Sequence, residues 1–166
     1  MKRSIRSLSM LFFLALAIGG AFAQTDALKA FNAIKNMPGM WEGKDASGKT
    51  LQVSFRVTSA GSAVMSEILV PGEDMISMIH LDGANRLVMT HYCGSGNQPR
   101  MQASISPDGK TITFNYFDAT NLASPDAGHM QRMVLTLLDE NHHTEEWTFV
   151  DHGAEHKETF DLRRKM

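Results

Sequence analysis

A single cysteine stands among the 166 residues. One thiol cannot close an internal disulfide, so the fold rests on its core alone. There is no Cys-x-x-Cys-His run, which excludes haem attached covalently through that motif. Neither a phosphate-binding P-loop nor a Gly-x-Ser-x-Gly nucleophile elbow occurs. Beyond residue 23 no apolar run approaches the roughly 20 residues that a membrane-spanning helix needs. Repeats, low-complexity tracts and runs of like charge are also missing. The chain lacks a basic excess as well. Three of its 16 basic residues, Lys2, Arg3 and Arg6, precede residue 24, and none of its 18 acids does. The remainder carries 13 basic residues against 18 acids, a charge of about −5 that disfavours nucleic acid and anionic membrane as partners.

What is present begins with "MKRSIRSLSMLFFLALAIGGAFA". A basic start, an apolar run from Met10 to Ile18 and a small-x-small close at Ala21 and Ala23 read as a cleavable signal peptide over 1–23. Residues 24–166 are then one domain, large enough for a real core. The expected location is periplasmic or secreted. The sequence carries no signature of a particular oligomeric state.

Residues 25–36, "TDALKAFNAIKN", predict a short helix. Leu28, Phe31 and Ile34 form its apolar stripe, Thr25 or Asp26 caps it, and Pro38 and Gly39 end it. Afterwards the period becomes two. "TLQVSFRV" sets Leu51, Val53, Phe55 and Val57 on one face, and "TITFNYF" sets Ile112, Phe114 and Tyr116 on one face. Turn signals such as "SPDGK" (106–110), "LDGAN" (81–85) and "DHGA" (151–154) recur every eight to twelve residues. The pattern predicts an all-β, antiparallel, up-and-down meander of about eight to ten strands. Closure into a barrel removes the two edges an open meander would expose. A barrel of that size can hold one small ligand.

The stretch "MPGMWEGK", a helix followed by Gly39-x-Trp41 at the first strand, resembles the lipocalin or calycin-like barrels. In those the helix covers one barrel end and the tryptophan packs above it. "THYCGSGNQPRM" is similar to a segment of exported bacterial calycin-like proteins with no assigned activity. The resemblance spans the chain after residue 23. It implies a lipocalin-like fold and export, and implies no chemistry.

Two hairpins carry the candidate site residues. In "HYCGSGNQPRM" (91–101), His91 and Cys93 share a strand face, with Cβ atoms roughly 6–7 Å apart. Cys93 is read as a strand-end structural residue, with ligand contact or a reactive thiol as alternatives. Asn97 and Arg100 sit on the following rim loop, where they can reach over a pocket mouth. In the C-terminal hairpin, a two-residue turn at His152 and Gly153 sets Phe149 opposite His156, Trp147 opposite Glu158 and Glu145 opposite Phe160. A three-residue loop at 139–141 adds Met133, Leu135 and Leu137 to that face. The inward face then mixes aromatics with His143, Glu145, His156 and Glu158. Buried polar groups are costly unless paired or wet, so this face is either a solvated or ligand-filled cavity or a face that tips out at the mouth. Glu145 and Glu158 are expected as diagonal neighbours roughly 7–8 Å apart, with one carboxyl raised if both are desolvated.

The remaining candidates are weaker. His142 and His143 point to opposite faces and His152 sits in a turn. His143 and His156 with Glu145 or Glu158 leave a two-histidine, one-carboxylate metal site as an alternative, and no metal ligand is assigned. Three Met-x-x-Met pairs are read as flexible filler of an irregular interior. Ile76, Met78 and His80 are aligned across the "DGAN" loop with Leu87, Met89, His91 and Cys93, leaving open which set faces inward. The expected function is binding of a small, partly apolar molecule through His91, Cys93, Asn97, Arg100, Tyr116, Glu145, Trp147, His156 and Glu158, with no catalytic or metal-binding residue assigned. The alternatives are acid–base catalysis by interior carboxylates and histidines, haem binding by an interior histidine, and an envelope interaction module with no internal ligand. No cofactor is fixed by the sequence.

Overall fold

The computed structural model describes residues 24–45, 47–70 and 73–166. The leader expected over 1–23 lies outside them. One helix, α1 (Asp26–Lys35), precedes ten strands: β1 (Gly39–Lys44), β2 (Thr50–Thr58), β3 (Ala63–Val70), β4 (Glu73–Asp82), β5 (Arg86–Tyr92), β6 (Gln98–Ile105), β7 (Thr111–Thr120), β8 (His129–Asp139), β9 (His142–Asp151) and β10 (Ala154–Arg164). Each strand pairs antiparallel with its sequence neighbour, and β1 pairs with β10, so the meander closes into a barrel. This is the lipocalin-like class the alternation predicts.

Closure depends on a short seam. Trp41, Glu42, Gly43 and Lys44 pair with Arg164, Arg163, Leu162 and Asp161. The backbones approach so closely there that a Cβ on Gly43 would lie 1.9 Å from the Asp161 carbonyl oxygen. Only glycine fits such a contact.

Thr25 caps α1, its hydroxyl accepting from the Leu28 amide at 3.2 Å. The same hydroxyl donates to the Ala84 carbonyl at 2.6 Å and so ties the helix to the β4–β5 turn. Ala27, Ala30, Phe31 and Ile34 are buried against one barrel end. Leu28, expected on the buried stripe, is only half-buried. Trp41 seals this end. Its indole N–H donates to the Met37 carbonyl at 2.9 Å, and the Arg164 guanidinium lies 4.3 Å over its ring.

Inward side chains pack the waist of the barrel. Val53, Val64, Ile79, Leu87, Met89, Met101, Ile112, Phe114, Met133, Leu135 and Leu162 are all buried. At the waist the polar inward face is therefore packed, and is not a solvated or ligand-filled cavity there. The waist is filled by side chains, and cavities lie toward the ends. No helix among the described residues is long and apolar enough to cross a membrane.

The hairpin registers decide which polar groups enter. In β9–β10 the pairs are Phe149 with His156, Trp147 with Glu158, Glu145 with Phe160 and His143 with Leu162, as the turn chemistry predicts. In β8–β9, Met133, Leu135 and Leu137 pair with Trp147, Glu145 and His143, again as expected. The β4–β5 register differs by one residue from the sequence reading. Asp82 pairs with Arg86, leaving three residues rather than four in the loop, so Ser77 faces His91 and Ile79 faces Met89. A slip of one residue exchanges the two faces of a strand. Met75, Ser77, Ile79 and Leu81 therefore join Leu87, Met89 and His91 on the inner face. His80 pairs with Val88 and its ring Nδ1 lies 3.1 Å from the Leu81 carbonyl oxygen, so it forms no pair with His91.

Candidate functional site at the two ends of the barrel

Strand β9 carries three polar inward residues two apart: His143, Glu145 and Trp147. Successive inward positions lie roughly 6.8 Å apart along a strand, so the row runs from the helix-covered end to the open mouth. Glu145, at the waist, is fully buried. The Trp147 indole N–H donates to its Oε2 at 2.9 Å, and His143 Nε2 lies 3.3 Å from its Oε1. Both carboxyl oxygens thus have a hydrogen-bond partner within the barrel, as a buried polar group requires. The His143 ring also meets the rings of Trp41 and Phe55 edge-on, at centroid separations of 4.4 and 5.7 Å.

His91 lies beside this row. Its ring centroid is 4.8 Å from that of Trp147, and its Nδ1 is 2.9 Å from the Ser77 hydroxyl. Burial pushes its pKa down to about 4, so the ring is neutral near pH 7. Its Nε2 has no hydrogen-bond partner.

A mouth cavity of about 280 Å³ opens above Trp147. Ile68, Met75, Met130, Phe149 and Phe160 wall it, and His156, Lys157 and Glu158 edge it. Met130 reaches this wall because β8 has an irregularity between Met130 and Arg132, which breaks the alternation of Met130 and Met133. His156 and Glu158 are exposed. Glu145 and Glu158 therefore do not form a desolvated pair, and the condition attached to a raised carboxyl is not met.

The opposite end has a larger cleft, of about 600 Å³, between α1, the β8–β9 turn and the end of β10. Trp41 and His143 contribute to it from below, and Ala33, Met37, Leu137 and Leu138 supply apolar wall.

Of the residues expected to contact ligand, Trp147, His156 and Glu158 meet at the mouth, with Glu145 and His91 directly behind Trp147. The other four lie elsewhere. Cys93 directly follows β5, half-buried, with the Ser95 hydroxyl 3.1 Å from its sulfur. Asn97 is buried and donates to the Gly128 carbonyl at 2.7 Å, tying two rim loops together. Arg100 lies on the outer wall, paired twice with Asp118 and stacked on Phe117. It does not overhang the mouth. Tyr116 packs on His129 at 4.6 Å, beside a separate surface depression. Ser77 escaped sequence reading because the register that brings it to His91 is set by the Asp82–Arg86 pair. The wall residues Ile68 and Met75 carry no polar signal.

Haem does not fit the space beside His91. The ring is fully buried between Ser77 and Trp147, and the mouth cavity of about 280 Å³ falls below the roughly 300–1,000 Å³ of pockets for drug-sized ligands, a class no larger than a porphyrin. Among the described residues no three His, Cys, Asp or Glu side chains cluster closely enough to hold a metal.

No family model matches the sequence, and no curated protein does. Among solved structures the chain is similar to the crystal structure of Rv2717c from M. tuberculosis, with 12% identity over 82% of this chain and 98% of that chain and a TM-score of 0.56. At that identity the likeness is one of fold alone.

Proposed function

We propose that this chain is an exported barrel of the calycin-like type that binds a small, largely apolar molecule at its open mouth. The observation that carries this reading is the cavity above Trp147. It is walled by Ile68, Met75, Met130, Phe149 and Phe160, has a polar edge at His156 and Glu158, and is floored by an indole whose N–H is fixed on Glu145. A concave apolar site with a few placed polar groups is the usual form of a small-molecule pocket. Its volume of about 280 Å³ suits a compact ligand, smaller than a drug-sized one. The methionines give walls that adapt to shape.

The geometry favours binding over acid–base catalysis. Glu145 is fully buried behind Trp147, with its Oε2 taken by the indole N–H and its Oε1 against the His143 ring, so it does not open onto the mouth. Glu158 is exposed.

Native mass spectrometry of the protein purified from its own cell envelope tests the reading, with a denatured spectrum beside it. The expected result is a mass excess lost on denaturation and at least tenfold weaker retention of that molecule by Trp147→Ala. A bare chain mass, together with no Trp147-dependent binding in a screen of small apolar molecules, refutes it.

A further inference from the structure

Two thioether side chains wall the mouth cavity. Met75 stands on β4 and Met130 on β8, and His156, on β10, edges the same space. The two methionines are four strands apart around the barrel, and so on different walls. Both are half-buried and His156 is exposed, so all three are open to the cavity they line. They come from different Met-x-x-Met pairs, and spacing along a single strand does not reveal them together.

Met130 reaches the cavity by a specific device. Regular alternation from Met133 would turn it outward, and the irregularity between Met130 and Arg132 turns it in. Irregularities of this kind re-aim single side chains and are frequent beside functional sites. His156 arrives at the same level by register, since Met130 pairs with Phe149 and Phe149 with His156. Trp147 floors the space, and indole is the best aromatic partner for a cation. Of the charged residues at the edge, Lys157 is drawn to Glu146 on the outer face, 3.8 Å away, and Glu158 remains to favour a cation. Thioether sulfur is a soft donor that selects ions such as Cu(I), and imidazole suits copper as well.

We infer that the mouth is a site for a soft monovalent metal ion of the Cu(I) class, held by Met75, Met130 and His156. This goes beyond the small-molecule reading, because it uses the same cavity and needs no organic occupant. Nitrogen and sulfur donors stand roughly 2.0–2.3 Å from a bound ion, so the side chains close on it from their walls. Methionine, with three rotatable bonds, does so without moving the strands. No electron is transferred. The ion exchanges its water for the three donors and leaves in the same oxidation state.

Ag(I) is the probe, because it shares the preference for sulfur and needs no reductant. Cys93 is first replaced by serine, since its thiol would take silver by itself and its neighbour Gly94 lies close to Met75. A Cβ on Gly94 would stand 3.9 Å from Met75 Sδ. Calorimetric titration of the purified Cys93→Ser chain should show one tight Ag(I), with Zn(II) at least about tenfold weaker. The Cε methyl resonances of Met75 and Met130 and the ring 15N resonances of His156 should move. Those of Met89 and Met101, sealed in the waist, should stay in place. Met75→Leu with Met130→Leu keeps the walls apolar and nearly unchanged in volume. It should weaken silver at least about a hundredfold, since loss of a group that merely supports a ligand already costs roughly 10–100-fold. Unmoved Met75 and Met130 methyls, equal silver affinity in the double variant, or tighter Zn(II) than Ag(I) would each overturn the inference. If a variant fails to fold, the methyl shifts of the parent chain decide it. No organic molecule enters these measurements, so a failed small-molecule screen leaves the metal site standing, and a failed silver titration leaves the apolar pocket standing.

Discussion

His91 makes the stability of the barrel depend on pH in a way that can be worked out beforehand. In the unfolded chain its imidazole titrates near 6.5, and in the folded barrel burial lowers that to about 4. Between these values the unfolded chain takes up a proton that the folded chain refuses. The contribution is fully present above pH 6.5 and is lost as the pH falls toward 4. The full loss is roughly 3 kcal/mol, and about 2 kcal/mol of it falls between pH 7.5 and pH 5. The control is a double variant, His91→Leu with Ser77→Ala, which removes the titrating ring and its 2.9 Å partner together. Removing both partners avoids stranding the serine hydroxyl, so the variant should stay within about 1.5 kcal/mol of the parent at pH 7.5. Urea unfolding of both proteins at the two pH values gives the four free energies. The other six histidines are common to both chains and cancel in the comparison. The parent should lose about 2 kcal/mol more than the double variant between pH 7.5 and 5. Parallel losses would show that the ring is charged, or reaches water, in the folded state.

Two further substitutions probe the closing seam and the sealed end. Gly43→Ala places a methyl 1.9 Å from the Asp161 carbonyl oxygen, so the strands must part. It should cost about 1–3 kcal/mol and lower the melting temperature by roughly 3–10 °C, and an unchanged melting curve would mean the seam has slack. Arg164→Lys keeps the charge and loses the forked donors to Asn36, Pro38 and Glu140 and the stack on Trp41. Amide hydrogen exchange in α1 should quicken about tenfold, and unchanged exchange would show that the apolar face of the helix suffices to hold it.

The alternation and the turns made most of this fold legible in the sequence. The β9–β10 register could be read because His152 and Gly153 form a two-residue turn, with both backbones left-handed at φ 48° and 80°. The β4–β5 register could not, because "LDGAN" offers no such constraint. In the folded chain Asp82 belongs to the ladder, where it pairs with Arg86 and their side chains meet at 2.7 Å. One residue of ambiguity there exchanged Ile76 for Ser77 opposite His91. Arg100 was misplaced for a different reason. Its position next to a rim loop suggests the mouth, yet its parity along β6 puts it outside, opposite Asp118.

Parity identifies a face and leaves depth undetermined, and the site turns on depth. Glu145 and Glu158 both lie on the inward rows of adjacent strands, and the sequence treats them alike. The pairing puts Phe160 beside Glu145 at the waist and Trp147 beside Glu158 at the mouth. One step of roughly 6.8 Å along the strand separates those levels. At the waist a carboxylate must be matched by donors from its own chain, and Trp147 and His143 supply them. At the mouth water solvates the carboxylate, and none is needed. The consequence for function is that the buried carboxylate orients the Trp147 indole beneath the mouth cavity, while His156 and Glu158 edge that cavity in solvent.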